Sequence, residues 1–330
     1  MESKGTIVAP RVFIARPIQR AVIEHIAQFC DVTVHQEDAP IDTATFAEAI
    51  AEVDGLMSVG GNVNEDLLRR ASKLRIIANI GAGYDTIDVA ACTRRRIAVS
   101  NTPDVLTEST ADFAFALLLA ISRHIIHADR YVREGHWKYG LWNLLWGSEL
   151  CGKTLGLYGF GRIGQAMARR GRGFSMRILY HARHRLASPV EAETGAEFVD
   201  LLTLLRESDF LSLHSPLNVE SNRAIGEAEL AGMKPTAFVI NTARGKIIDE
   251  EALVEALRTG RLAGAGLDVF ENEPRIHPAL IEMKNVLIAP HIASATIETR
   301  LRMASLAAEN LLAAFACRRP PNILNPEVLD

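Results

Sequence analysis

The sequence predicts an α/β protein of two Rossmann-like doubly wound parallel-sheet domains. Three observations point there. Short apolar runs alternate twice with amphipathic stretches, the pattern of strands feeding crossover helices. The chain has 330 residues, more than a single hydrophobic core usually serves. A glycine pattern at Gly159, Gly161 and Gly164 falls between an apolar run and a helical stretch.

In chain order, the first alternation predicts a strand at 11–15, a helix at 18–30, a strand at 55–59, a helix at 65–71 and a strand at 74–78. A single long helix is expected over 104–126, entered through Thr107-Glu108-Ser109-Thr110. It is apolar nearly all round, which suits an element wedged between domains or subunits. The second alternation predicts strands at 154–158, 177–180, 210–214, 237–241, 264–269 and 286–288. Helices are expected between them at 163–172, 189–194, 201–206 and 250–259. A last amphipathic helix over 293–318 is expected to return to the first domain.

Hydrophobic residues make up 48% and charged residues 23%, an ordinary balance that argues against disorder and fibrous repeats. A net charge of -4 leaves no global field to hold a nucleic acid or an anionic membrane, so neither is expected as a partner. Cys30, Cys92, Cys151 and Cys317 lack metal-like or redox-like spacing; they read as buried free thiols in a reducing cytoplasm, and no metal is expected. Met1-Glu2-Ser3-Lys4-Gly5 leads into a short apolar run from Ile7 that Arg11 interrupts, unlike an export signal. The apolar stretch 113–121 falls short of the ~20 residues that span a bilayer. A cytoplasmic location is expected.

The turn Gly159-Phe160-Gly161-Arg162-Ile163-Gly164 follows a predicted strand and opens a predicted helix, the setting in which GxGxxG binds a dinucleotide. Gly159 would permit the tight turn, Gly161 the approach of backbone to a pyrophosphate, and Gly164 close packing of helix on strand. N–H groups at the helix start would face the phosphates. All six residues are candidate cofactor contacts in a Rossmann-like domain.

Arg244 in Asn241-Thr242-Ala243-Arg244-Gly245, Glu273 in Asp268-Val269-Phe270-Glu271-Asn272-Glu273-Pro274 and His291 in Ala289-Pro290-His291-Ile292 each close a strand-like run. Ligands of open α/β sheets sit at the carboxyl ends of strands, so all three are candidate site residues. Singly, each has a plainer reading: a surface ion-pair arginine, a turn glutamate, a core histidine. Together with Asn79-Ile80-Gly81-Ala82-Gly83-Tyr84-Asp85, Asn101-Thr102-Pro103-Asp104-Val105-Leu106-Thr107-Glu108 and the glycine turn, they make a longer pattern. Over about residues 50–310 the chain resembles the D-isomer-specific 2-hydroxyacid dehydrogenase family.

The resemblance implies reduction of a 2-oxo acid to a D-2-hydroxy acid, with Arg244, Glu273 and His291 as the catalytic set. Arg244 would hold the carboxylate and carbonyl oxygen in its planar fork, and His291 would donate the proton. Glu273 would bond the other ring nitrogen and favour the imidazolium. The family pattern also places backbone N–H groups around Ile80 and Gly81 on the substrate carboxylate. It adds Thr107, Pro216, Thr242, Ala243, Arg244, Asp268, His291 and Ala293 to the cofactor contacts. Asp268 has an alternative reading as a strand-end cap. Where the family commonly has Gly-Ser-Ala-Thr, this chain carries Ala293-Ser294-Ala295-Thr296. The resemblance makes 1–100 with 292–330 a flavodoxin-like substrate-binding domain and 101–291 the dinucleotide-binding domain, implies an active site in the cleft between them, and implies a homodimer.

NAD-selective sites place an acid after the second strand to bond the ribose 2′-hydroxyl. This chain has His181-Ala182-Arg183-His184-Arg185 there, and no Asp or Glu from Cys151 to Val190. His181, Arg183 and Arg185 therefore favour NADP(H), with NAD(H) still admissible. Similar basic runs occur in the glyoxylate, hydroxypyruvate and 2-ketogluconate reductase branch. Trp142 or Trp146 is a candidate to reach a partner subunit's site. Two other readings stay open: a dinucleotide-sensing, corepressor-like protein without activity, or a relative acting on formate, phosphite or a larger sugar acid, with a different loop at Ser58-Val59-Gly60-Gly61.

Overall fold

A computed structural model describes residues 9–329, so the start of the segment read for an export signal lies outside the described residues. The chain divides into two compact units, Met1–Leu106 with Thr296–Asp330, and Thr107–Ala295. These borders fall a few residues beyond the expected ones, at the first residue of one helix and the cap of another.

The first unit runs β1 (Arg11–Ile14), α1 (Arg20–Ala27), β2 (Asp31–Val34), α2 (Thr43–Ile50), β3 (Gly55–Ser58), α3 (Glu65–Leu68), β4 (Ile76–Asn79), α4 (Val89–Arg94) and β5 (Ala98–Ser100). Its strands pair in parallel in the order β2-β1-β3-β4-β5, a flavodoxin-like arrangement. β3 and β4 are buried at every residue, which is why they read as unbroken apolar runs. β2 lies at the sheet edge, half exposed, and its Asp31-Val32-Thr33-Val34 carries too little apolar signal to be found beforehand.

The second unit continues α5 (Thr107–Ser122), α6 (Ile125–Arg133), β6 (Thr154–Tyr158), α7 (Arg162–Gly173), β7 (Arg177–His181), α8 (Ser188–Thr194), β8 (Ala196–Phe198) and α9 (Leu201–Glu207). It ends with β9 (Phe210–Leu213), α10 (Glu227–Ala231), β10 (Phe238–Asn241), α11 (Glu250–Arg258), β11 (Gly264–Leu267), α12 (Pro278–Glu282) and β12 (Val286–Ile288). The sheet is parallel throughout, in the order β12-β11-β10-β9-β6-β7-β8. Strand order reverses between β6 and β9, the switch point at which such sheets open a crevice. α13 (Ile297–Phe315) then packs on β3 and β4 of the first unit.

The single helix expected over 104–126 is two. His124 adopts the left-handed region at φ 54° and α6 leaves α5 at 61°. Ser148 donates its N–H to the Ser122 carbonyl, so the returning chain occupies the last turn of α5. α5 is buried within the second unit against α7, β10 and β11. Among the described residues no single helix is long and apolar enough to cross a membrane. Cys30 and Cys92 are buried, and burial pushes their thiols up to about 11 and about 12. Cys151 and Cys317 are exposed rather than buried, because one occupies the turn before β6 and the other lies past the end of α13.

Candidate active site

β6 ends in a turn that only glycine can make. Gly159 has φ 92°, and a Cβ there would stand 2.5 Å from the Ser215 nitrogen and 2.6 Å from the His214 carbonyl carbon. The exit of β6 is thus pressed against the chain leaving β9, at the switch point. The missing side chain of Gly164 makes room for the Gly159 carbonyl. Gly161 differs: no protein atom comes within 4 Å of where its Cβ would be, and its φ of −72° suits any residue. Bare backbone there faces open space, and α7 begins beside it with no side-chain cap from Gly161, so the N–H groups of Ile163 and Gly164 suit an anionic ligand. The residues present therefore fit a dinucleotide pyrophosphate. Phe160 contributes backbone alone, because its ring is buried and stacked on Tyr180 with centroids 4.1 Å apart.

At the carboxyl end of β10, Asn241 accepts the Ala243 N–H at 3.0 Å and donates to the Arg244 carbonyl at 2.9 Å. This side-chain turn presents Arg244 at the strand end. Gly245 follows directly against the Phe270 backbone, closer than any side chain would allow. That contact brings the arginine segment to the one that carries Glu273.

Glu273 accepts the Phe270 N–H at 3.0 Å on one oxygen and meets His291 Nδ1 at 2.8 Å with the other. Burial works against its charge, but the bonds to His291 and Phe270 and the positive charges of His291 and Arg244 prevail. Its carboxyl stays below the usual carboxylate range. A charged Glu273 makes Nδ1 the donor, so Nε2 is the nitrogen at which His291 gains or loses a proton. Nε2 has no partner among the described residues.

Asp268, fully buried just past β11, holds the histidine loop by three consecutive N–H groups. Its carbonyl accepts from His291 at 2.9 Å, and its two carboxylate oxygens accept from Ile292 and Ala293, each at 2.8 Å. Burial raises its carboxyl above the ordinary range, with the two N–H bonds opposing. His291 sits at φ 56°, a left-handed conformation that a non-glycine residue keeps only when its surroundings impose it. The strand-end cap reading of Asp268 describes this geometry.

The other expected residues fall into place unevenly. Thr242 has a buried hydroxyl with no hydrogen-bond partner among the described residues, an orphan that suits a ligand contact. Ala293 is buried, Ala243 is half-buried directly after Thr242 in the β10 turn, Thr107 opens α5, and the Pro216 carbonyl accepts from Ser215 and Ser221. The His181 ring bonds the Val199 carbonyl at 3.0 Å and stacks on Tyr158 and Phe198. Arg183 is exposed, with Glu220 no nearer than 3.9 Å. Arg185 departs from expectation: Glu191, one residue beyond the acid-free stretch, accepts from its Nε and Nη2 at 2.9 and 2.8 Å. The Ile80 N–H donates to Ser58 at 2.7 Å, so it is committed inside the first sheet. The Gly81 carbonyl accepts from Thr102 and Asn79, while its own N–H has no partner among the described residues.

His214 was not anticipated. It follows β9, bonds Ser212 at 2.8 Å through Nε2, and burial pushes its imidazole down to about 3. The strand-end rule that singled out Arg244, Glu273 and His291 applies to it equally.

Residues 115–293 match the NAD-binding domain of the D-isomer specific 2-hydroxyacid dehydrogenases. A glyoxylate reductase of Thermococcus litoralis is 50% identical over 325 residues, covering 97% of this chain and 98% of the relative. The chain belongs to the D-isomer-specific 2-hydroxyacid dehydrogenase family. Among solved structures, a Thermus thermophilus protein superposes with a TM-score of 0.90 at 41% identity, over 95% of this chain and 99% of that one. The NADPH-dependent glyoxylate/hydroxypyruvate reductase of Sinorhizobium meliloti, solved with NADP and malonate, gives 0.86 at 36% identity over 96% of each chain. This 2-hydroxyacid dehydrogenase is an oxidoreductase, and its NAD-binding domain lies in the unit Thr107–Ala295.

Proposed function

We propose that this dehydrogenase works as an NADPH-dependent reductase of a small 2-oxo acid, glyoxylate or hydroxypyruvate, giving the D-hydroxy acid where C2 is a stereocentre. The observation that carries the reading is the His291–Glu273 pair, whose Nε2 is uncommitted and whose carboxylate feels the charge of Arg244. The names of the Thermococcus litoralis and Sinorhizobium meliloti relatives support the substrate class and, for the second, the cofactor.

When bound, the nicotinamide supplies a hydride to C2. Arg244 pairs with the substrate carboxylate and draws electron density onto the carbonyl oxygen. His291 gives that oxygen the proton on Nε2, while Glu273 holds the ring through Nδ1 and stabilises its charged form. Of the two amides expected on the carboxylate, Gly81 has the uncommitted one. The exposed Arg183 and the absence of an acid directly after β7 support NADPH over NADH.

The test follows NADPH and NADH oxidation with glyoxylate, hydroxypyruvate, pyruvate and 2-ketogluconate. Glyoxylate or hydroxypyruvate with NADPH is expected to give the highest kcat/KM. No turnover on any acid would return the chain to the dinucleotide-sensing reading, and equal rates with NADH would remove the cofactor assignment.

We also assign a homodimer in a reducing cytoplasm, the latter on four unpaired cysteines. The dimer reading rests on Ile125, Val132, Trp137 and Trp142, which expose apolar surface along α6 and the segment after it. Trp146 is anchored, donating to the Trp142 carbonyl and accepting from His124 on its own. Trp142, 88% exposed, is the tryptophan left to meet a partner subunit. Sedimentation equilibrium should return twice the 36.1 kDa chain mass; a monomer would end the assignment.

A further inference from the structure

The loop after β7 carries two arginines in opposite surroundings. Arg183 is exposed, and the exposed Glu220 approaches it only to 3.9 Å. Arg185 donates from Nε and Nη2 to the two oxygens of Glu191 at 2.9 and 2.8 Å, the side-on match of guanidinium fork and carboxylate. The Glu191 side chain is 12% exposed and also accepts from the Tyr180 hydroxyl at 2.7 Å. That hydroxyl accepts in turn from the Leu186 N–H at 2.9 Å. The Tyr180 ring stacks on Phe160 of the glycine turn. Two consecutive loop residues are therefore tied to one buried frame that includes the pyrophosphate turn.

We propose that Glu191 is the positioning residue of this loop: it engages Arg185 as a structural tie and leaves Arg183 as the cation that meets the 2′-phosphate of NADPH. The inference rests on the NADPH reading above. A 2′-phosphate placed on Arg185 would share one guanidinium with a carboxylate already seated on its Nε–Nη2 edge, two anions repelling across a single cation. Arg183 has no such close competitor. The hydrogen bonds from Arg185 and Tyr180 hold the Glu191 carboxyl below its usual range, so the tie stays charged through neutral pH.

The test is calorimetric binding of NADP+ and NAD+ to the full chain without substrate. Arg183→Ala is expected to lower the NADP+ to NAD+ affinity ratio by about 10-fold or more, the loss of a charge-assisted phosphate contact. Arg185→Ala and Glu191→Gln are expected to weaken both dinucleotides alike, keeping the ratio within about 2-fold, and Arg185→Ala with Glu191→Ala to be no worse than either alone. Tyr180→Phe keeps the ring stack, loses only the hydroxyl, and should speed hydrogen exchange at the Leu186 amide. An Arg185→Ala variant whose ratio falls as far as that of Arg183→Ala would overturn the proposal, as would unchanged binding and exchange in Glu191→Gln and Tyr180→Phe. Wild-type protein that binds the two dinucleotides equally, with Arg183→Ala without effect, would overturn the NADPH reading and this proposal with it. The earlier outcomes sink the proposal alone.

Discussion

His291→Asn is expected to lower kcat for 2-oxo acid reduction by ~10²–10⁴-fold while dinucleotide affinity stays near that of the wild type. Asparagine is chosen because it tolerates the left-handed backbone that His291 occupies at φ 56°, so the loop held by Asp268 keeps its shape. What is lost is the ring nitrogen proposed to give a proton to the carbonyl oxygen. Glu273→Gln serves as the companion variant. It removes the carboxylate 2.8 Å from Nδ1, and with it the charge that favours the imidazolium. Reductive kcat should then fall, by less than in His291→Asn. The folded-state acidity of Glu273 gives a second sign: because its carboxyl is depressed from 4.5, the pair's contribution to stability is present above that value and is lost as pH falls through the folded value. Full kcat in His291→Asn would remove His291 from the proton-transfer role.

Gly245→Ala is expected to cost about 3 kcal/mol or more of stability and to abolish most activity, an overpacking effect at the upper end of its range. The added methyl would fall on the Phe270 carbonyl carbon and oxygen and close to the Glu271 nitrogen. These are backbone atoms, unable to swing aside as a side chain would. Relief requires the Arg244 turn and the Glu273 segment to separate, which disrupts the geometry that lets Arg244 act on Glu273. Gly161→Ala is the control, since its methyl meets nothing within 4 Å. It should change stability by no more than about 0.5 kcal/mol and weaken dinucleotide binding. Thermal unfolding and dinucleotide titration separate the two. A Gly245→Ala protein of wild-type stability would show that this contact does not join the two segments.

The elements legible in the sequence are those whose burial leaves no choice of pattern. β3, β4 and β6 through β12 other than β8 lie inside sheets or end in motif residues, and their apolar runs mark them. β2, β5 and β8 are three or four residues long, and β2 and β8 are edge strands whose exposed positions dilute the signal. The break at His124 has no proline or glycine to announce it; it depends on Ser148 returning to the end of α5, a contact 26 residues long in sequence that no local pattern records. The same limit explains the loop after β7. Along the chain no acid falls between Cys151 and Val190, but Glu191 lies just beyond and reaches Arg185 by the turn of α8. His291 and Glu273 were recognisable by motif, but the contribution of Asp268 depends on three N–H groups converging in space.

The attachment of the histidine loop to β11 has a consequence for timing. Asp268 emerges from a strand paired on both sides, and the loop residues it grips inherit the stiffness of that strand. In the proton-transfer role proposed for it, His291 need not be recruited by an arriving substrate: its ring is already aimed by Glu273 and its backbone already bent. Reorganisation that would otherwise recur at each turnover is completed once, during folding. A substitution that loosens Asp268 should therefore surface first as a scattered proton donor and only later as a melted fold.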